Sequence, residues 1–173
     1  PRTLAFSEHM VVQGVMGLPL FALGLSAVTV YNLLVIVGFA TSGLAMTIVV
    51  ERWTGSARAG LVAGIAYAFN AHTLVRFGHM QALHVQFLPF AVAALHDLVD
   101  RPAWRTAWRM AAAVALQALT SNYLLVMTAL AMVSAAASHP MAWFGRDGRR
   151  RLVMTGAAAL VCDGEIVAAA QEE

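Results

Sequence analysis

Lysine is absent from the sequence, so its whole basic complement, histidine aside, is eleven arginines. That bias by itself assigns no function. Cysteine occurs once, at Cys162, which excludes an internal disulfide and offers no metal-ligand spacing. Charge is scarce as well: 12% of the 173 residues are charged and 60% are hydrophobic. Ordinary soluble domains carry roughly 25% charged and 45–50% apolar residues, so too little polar surface is present to cover a soluble fold of this size. The net charge of +2 is small and is not gathered on one face, which argues against a nucleic-acid-binding surface.

The charges that do occur are segregated. No Asp, Glu, Lys or Arg falls in Val11–Val50, Ala59–Val75, Phe77–His96 or Met110–Gly145. Charges cluster between those runs, as expected if the runs lie in lipid. The alternating ten-residue pattern of barrel strands is missing, and richness in Ala, Leu and Met favours helix. The expectation is therefore an all-α, polytopic helical membrane protein. Its predicted spans are roughly Tyr31–Val50, Arg58–His72, Met80–His96, Trp104–Leu119 and Ser121–Ser138, the last two separated by the turn at Thr120-Ser121-Asn122.

Arginine counting gives the orientation. Successive loops hold Arg52 and Arg58, then Arg76, then Arg101, Arg105 and Arg109, then none, then Arg146, Arg149, Arg150 and Arg151. The alternation places Glu51–Arg58, Asp97–Arg109 and Pro140–Arg151 in the cytoplasm. Trp53, Trp104, Trp108 and Trp143 all lie in or beside these loops, as interfacial anchors do. Met10–Thr29 is apolar enough to span, yet Gly14, Gly17, Pro19 and Gly24 weaken a straight helix there. The residues alone leave two readings of it, a span or a helix lying at the outer interface. Leu152–Cys162 begins like a sixth span, but Asp163 and Glu165 interrupt its apolar run, which reads as a truncated or frame-shifted tail. The chain starts at Pro1 without a signal peptide and reads as a fragment whose beginning lies upstream.

The residues able to carry chemistry concentrate in Asn70–Pro89, NAHTLVRFGHMQALHVQFLP. This outer-side stretch holds His72, Arg76, His79, Gln81, His84 and Gln86. As one helix it would align His72, Arg76, His79 and Gln86, but Gly78 and the reversal of direction oppose an unbroken helix. Arg76 is the single positive charge expected on the outer side of the multispan part, and its planar fork suits phosphate. The bland alternative is a set of interfacial side chains with no ligand. The histidine spacing matches no zinc pattern and no acid accompanies it, so no metal is expected. Glu8 in Ser7-Glu8-His9 is the one acid expected on the outer side ahead of the tail; it suits either a general base or the first turn of a capped helix. Gly38, Ser42 and Met46, with Gly60 and Gly64, form small-residue patterns that most simply let helices pack closely.

The segments PRTLAFSEHMVVQGVMGLPLFAL, VTVYNLLVIVGFATSGLAMTIVVERWTGSARAGLVAGIAYAFN and RFGHMQALHVQFLPFAVAAL follow one another in an order that resembles bacterial multispan membrane proteins related to the GT-C glycosyltransferases, the superfamily of the protein mannosyltransferases and lipid A aminoarabinose transferases. The resemblance covers about Pro1–Ala137 and rests most on LAFSEH and on Gly78 to Pro89. It implies an enzyme of the bacterial inner membrane taking a sugar from a polyprenyl-phosphate donor at the outer face, with no cofactor. Residues 1–30 would be the end of an outer loop carrying an interfacial helix, 31–138 the transmembrane domain, and 139–173 a cytoplasmic loop with the aberrant tail. Glu8 and His9 match positions of the subgroup's pattern as catalytic candidates; Arg76, His79, Gln81 and Gln86, with His72 beside them, are the substrate-binding candidates. The acid motif such enzymes carry after their first span would lie upstream of Pro1, so the remaining part of the enzyme would be needed for activity. The rival readings are a transporter or flippase for a lipid-linked or small polar substrate, and a non-catalytic membrane protein fragment.

Overall fold

A computed structural model of the chain describes the backbone of residues 10–144 and 147–171 and the side chains of residues 10–144 and 147–159. Glu8 and His9 lie outside the described residues. Every regular element among the described residues is an α-helix, so the all-α expectation holds. α1 (Val11–Ala22) ends where Gly24, at a φ of 79°, takes a left-handed conformation and turns the chain. Ser26 then caps α2 (Ala27–Thr54) by accepting from the Thr29 amide, and left-handed Gly55 closes it. Ser56 caps α3 (Ala57–Ala68), and Asn70 caps the short α4 (Ala71–Val75). α5 (Met80–Leu83) and α6 (Phe87–Asp100) follow, then α7 (Trp104–Thr120), α8 (Asn122–Ala137), α9 (Pro140–Phe144) and α10 (Gly148–Gln171).

The break between α5 and α6 has a local cause. Pro89 lacks an amide hydrogen, and its ring collides with the carbonyl four residues back, that of Val85, if the helix continues. The chain therefore opens at His84–Gln86 and resumes helical winding at Phe87. His72, Arg76, His79 and Gln86 accordingly do not share one helix face: they fall on α4, its C-cap, the start of α5 and the start of α6.

Two stretches are long and apolar enough to cross a membrane by length and composition, Ala27–Thr54 and Met80–Asp100. They contain the first and third of the five expected spans. The other three expectations fall on shorter helices. α3 has 12 residues, α7 has 17 and α8 has 16, or about 18, 25 and 24 Å at 1.5 Å per residue. Met10–Thr29 is not one spanning helix, because α1 covers 12 residues and stops before the Gly24 turn. The backbone of α10 is helical through positions 163 and 165.

Two apolar cores hold the helices together. One joins α6, α7 and α10 through Leu95, Leu98, Met110, Ala111 and Met154. The other packs Val30, Leu34 and Val35 of α2 against Met80 and Leu83 of α5, beneath Met16 and Leu20 of α1. Outside the cores, Ile36 and Leu44 of α2, Leu61, Val62 and Ile65 of α3, and Val126, Leu130 and Val133 of α8 are all more than half exposed. Large contiguous apolar patches on a surface mark contact with lipid, a ligand or another protein.

The ends of the bundle differ chemically. At one end Arg52 pairs with Asp97 through both carboxylate oxygens at 2.6 Å, and the Trp53, His96 and His139 rings lie 5.4–5.7 Å apart in sequence. Trp104 shares a groove of about 390 Å³ with Arg149 and Arg150 at that end. The opposite end of α2 holds Tyr31, whose hydroxyl donates to the Gly78 carbonyl at 3.0 Å, and there the neighbouring loop carries Arg76.

Candidate functional site

Arg76 ends α4 with its guanidinium carbon 4.8 Å from the centre of the Tyr123 ring, a cation–π contact. The Tyr123 hydroxyl stands 3.4 Å from Nε2 of His72, one turn before Arg76. Helix starts fix all three positions: Asn70 caps the turn that carries His72, and Ser121 caps α8 just before Tyr123. No carboxylate lies within ion-pair distance of Arg76 among the described residues. The outcome is a half-buried cation held by an aromatic face, with its hydrogen-bond donors uncommitted to any anion. The planar fork of such a guanidinium matches the geometry of a phosphate or carboxylate group. His79 is exposed at the start of α5, and Gln81 is half-buried on it. Of the sequence-derived candidates, then, the structure brings His72 and Arg76 together, and it sends Gln86 elsewhere.

Gln86 belongs to a buried polar network at the α5–α6 break. Opening the helix frees three consecutive carbonyls, and each is taken by a donor from a different helix. Ser42 of α2 donates to Leu83 O at 2.9 Å, Gln117 of α7 to His84 O at 3.1 Å, and Tyr67 of α3 to Val85 O at 3.0 Å. Ser42 also accepts from the Val85 amide at 3.1 Å, so one hydroxyl spans the break. The fully buried His84 ring donates through Nε2 to Leu34 O at 3.1 Å, where Gly38 leaves room for it. Irregular backbone inside an apolar bundle persists only when its freed groups are satisfied in this way.

Three buried glutamines, two of them in this network and one on α1, keep an acceptor left over. Gln13, Gln86 and Gln117 are buried, and the side-chain oxygen of each has no partner. Their orientations are fixed by what their amide nitrogens face. Gln13 Nε2 donates to Thr120 O at 3.4 Å, and Gln117 Nε2 donates to His84 O; neither can be turned round, because each faces a carbonyl. Gln86 Nε2 lies 3.5 Å from Nδ1 of His84, which is an acceptor while Nε2 donates to Leu34. Each orphaned oxygen costs about 1–3 kcal/mol relative to a hydrogen-bonded one.

The sequence offered only a partial view of this network. Gln13 and Gln117 are lone polar residues in long apolar runs, a signal that points to an inward-facing side chain but not to a partner. Ser42 registered as a small packing residue, and Tyr123 gave no signal at all. No metal cluster of histidine, cysteine and acidic groups occurs among the described residues. A recess of about 60 Å³ lined by Trp53, His96 and His139, like the groove at Trp104, belongs to the arginine-rich end and not to either polar cluster. No family model, curated protein or solved structure matches the chain.

Proposed function

We propose that this chain is part of a multi-pass membrane enzyme that transfers a sugar from a polyprenyl-phosphate donor at the outer face of a bacterial inner membrane. One observation carries the reading: Arg76, on the arginine-poor end, is braced by Tyr123 beside His72 and lacks a carboxylate partner among the described residues. A lipid phosphate entering at the headgroup level is the anion such a group would meet. The multi-pass placement draws support from the outward apolar faces of α2, α3 and α8, which suit lipid contact. It also draws support from the meeting of the loops around Arg52, Asp97 and His139 at one end, as a shared cytoplasmic side requires. α1 would lie at the outer interface, and the shorter helices would cross with help from their flanking turns.

In this reading an acceptor hydroxyl oxygen attacks the anomeric carbon of the donor. The bond from that carbon to the phosphate oxygen breaks, and its electron pair leaves on the phosphate. Arg76 stabilises the charge that develops there, with His72 at hand as a further donor. The acceptor's proton passes to a carboxylate, for which the resemblance nominates Glu8, with His9 beside it, or an acid upstream.

Arg76→Ala tests the reading in membranes containing the whole enzyme. Binding of polyprenyl phosphate is expected to weaken by at least ~10-fold, as loss of a charged hydrogen bond of about 1.5–3 kcal/mol implies, with transfer falling in step and folding intact. Unchanged lipid binding in that variant would sink it. A second reading, a transporter, draws on the broken helix at Met80–Asp100, since such breaks line substrate paths in many transporters. Here side chains take the freed carbonyls, which favours a fixed structural break. Substrate uptake into vesicles without bond cleavage would decide for the transporter.

A further inference from the structure

We propose that the groove between α7 and α10, lined by Trp104, Arg149, Arg150, Val153 and Met154, binds an anionic phospholipid, its phosphodiester on the two arginines and an acyl chain running past Val153. That the lipid belongs to the cytoplasmic leaflet rests on the membrane placement proposed above; the sugar-transfer part of that reading is not used.

Helical spacing divides this groove into two chemistries. Val153 follows Arg149, and Met154 follows Arg150, by four residues, so each arginine stands one turn nearer the start of α10 than an apolar residue of the same face. The separation is about 6 Å at 1.5 Å per residue. Met154 is 1% exposed and belongs to the core joining α6, α7 and α10, which makes the floor of the groove part of the fixed packing. Val153 and Trp104 are 55% and 53% exposed, so both still present apolar surface. The volume of about 390 Å³ lies within the roughly 300–1,000 Å³ of ordinary ligand clefts.

The polar side chains of the groove are all donors. Neither Arg149 nor Arg150 has a carboxylate within ion-pair distance among the described residues, Asp147 just ahead of them included. Arg151 is used differently: its Nη1 donates to Ala142 O at 2.6 Å. The indole N–H of Trp104 meets no acceptor among the described residues, whereas that of Trp143 donates to Ala136 O at 2.8 Å. No acid stands in the first turn of α10 to offset arginines placed beside the positive end of the helix dipole. An anion is the missing partner, and guanidinium forks suit phosphate oxygens. The apolar half then selects among phosphates. A free phosphate would leave Val153 and Trp104 facing water, whereas a lipid brings chains that cover them, and tryptophan favours the headgroup level. Basic pockets between helices on the cytoplasmic side take anionic headgroups on the same grounds.

The test uses the full chain in phosphatidylcholine nanodiscs doped with phosphatidylglycerol. One lipid or the other carries bromine on its acyl chains and quenches tryptophan on contact. Brominated phosphatidylglycerol is expected to quench beyond brominated phosphatidylcholine at equal mole fraction, fitting a preference of ~5-fold or more for the anionic lipid. Trp104→Phe should remove most of that excess. Arg149→Gln combined with Arg150→Gln should abolish the preference and leave quenching by phosphatidylcholine, the sign of a folded and inserted chain, unchanged. Arg101→Gln combined with Arg105→Gln removes equal charge outside the groove and should keep the preference. An excess undiminished by Trp104→Phe, or one lost equally in the Arg101 and Arg105 variant, is diffuse attraction and overturns the site. Loss of the excess on adding inorganic phosphate overturns it too, as the mark of a site for the free anion. Equal quenching by the two lipids sinks the site and leaves the membrane placement standing; no quenching by either sinks the placement and the site with it.

Discussion

The two sides of α2 solve the same problem by opposite means. Toward α3 the contact is made of backbone and small residues. A Cβ on Gly60 would stand 2.6 Å from Thr47 O, and one on Gly64 would stand 2.5 Å from Gly43 O, so the helices touch where glycine alone fits. Toward α5 and α6 the same helix offers Gly38 and Ser42, but what they meet is an open turn of chain, and at that turn the contact is hydrogen-bonded, beside the apolar packing of Val30, Leu34 and Val35 on Met80 and Leu83. The first interface is closed by shape, the second by the satisfaction of polar groups. Shape tolerates no added atom. Polar satisfaction tolerates atoms but no missing partner.

Substitutions can push on each side in turn. The largest effect is expected from Gly64→Ala, whose methyl group meets the Gly43 carbonyl and the Thr47 hydroxyl, neither a flexible chain end. A loss of about 3 kcal/mol follows from such overpacking, measurable as a lower midpoint of SDS-induced unfolding. A methyl accepted without loss would mean that α2 and α3 are not in contact there. On the polar side, Ser42→Ala strips partners from Leu83 O and Val85 N while leaving the shape nearly intact. It should cost about 2 kcal/mol and speed hydrogen exchange at the Val85 amide; an unchanged exchange rate there would refute the role given to Ser42. The smallest effect belongs to an exposed contact between α2 and α6, at the end of that second interface. Arg52→Ala removes an ion pair whose arginine is 55% exposed, so a double-mutant cycle with Asp97→Asn should return under about 1 kcal/mol, shrinking further in high salt.

The difference between the two sides also explains how far the sequence could be read. Glycines at 60 and 64, four apart in an apolar run, announce close packing by their spacing, and they pack so. Likewise the turn at Thr120-Ser121-Asn122 announces itself, and Ser121 caps both flanking helices. The long charge-free run to Val50 became α2, beginning earlier than Tyr31 because Ser26 supplies a cap. By contrast, hydrophobicity says nothing about whether an apolar run winds without interruption. Ala57–Val75 splits because Asn70 caps a new helix, and Met80–Asp100 splits because Pro89 cannot sit under the Val85 carbonyl. Asp163 and Glu165 had the reverse effect: they end an apolar pattern but do not stop a helix, since acids are compatible with helical backbone. Of the candidate site, His72 and Arg76 were legible because a cation and an imidazole four apart lie on one face of a turn. Tyr123, 47 residues on, has no local tie to them. The partnership of His84, Gln86 and Gln117 depends on α7 meeting the α5–α6 break, and that of Gln13 with Thr120 on α1 meeting α7, which no spacing along the chain encodes.

Ser121 carries one more implication, for how the chain is made. It is a single residue between two helices, serving as the C-cap of α7 and the N-cap of α8. In the membrane-spanning arrangement proposed above, such a reversal would expose almost no backbone at its tip, so α7 would have no tether on which to wait while α8 is synthesised. The pair would leave the insertion machinery as one hairpin, its tip crossing last, and Gln117 would be delivered to His84 only when that crossing is complete.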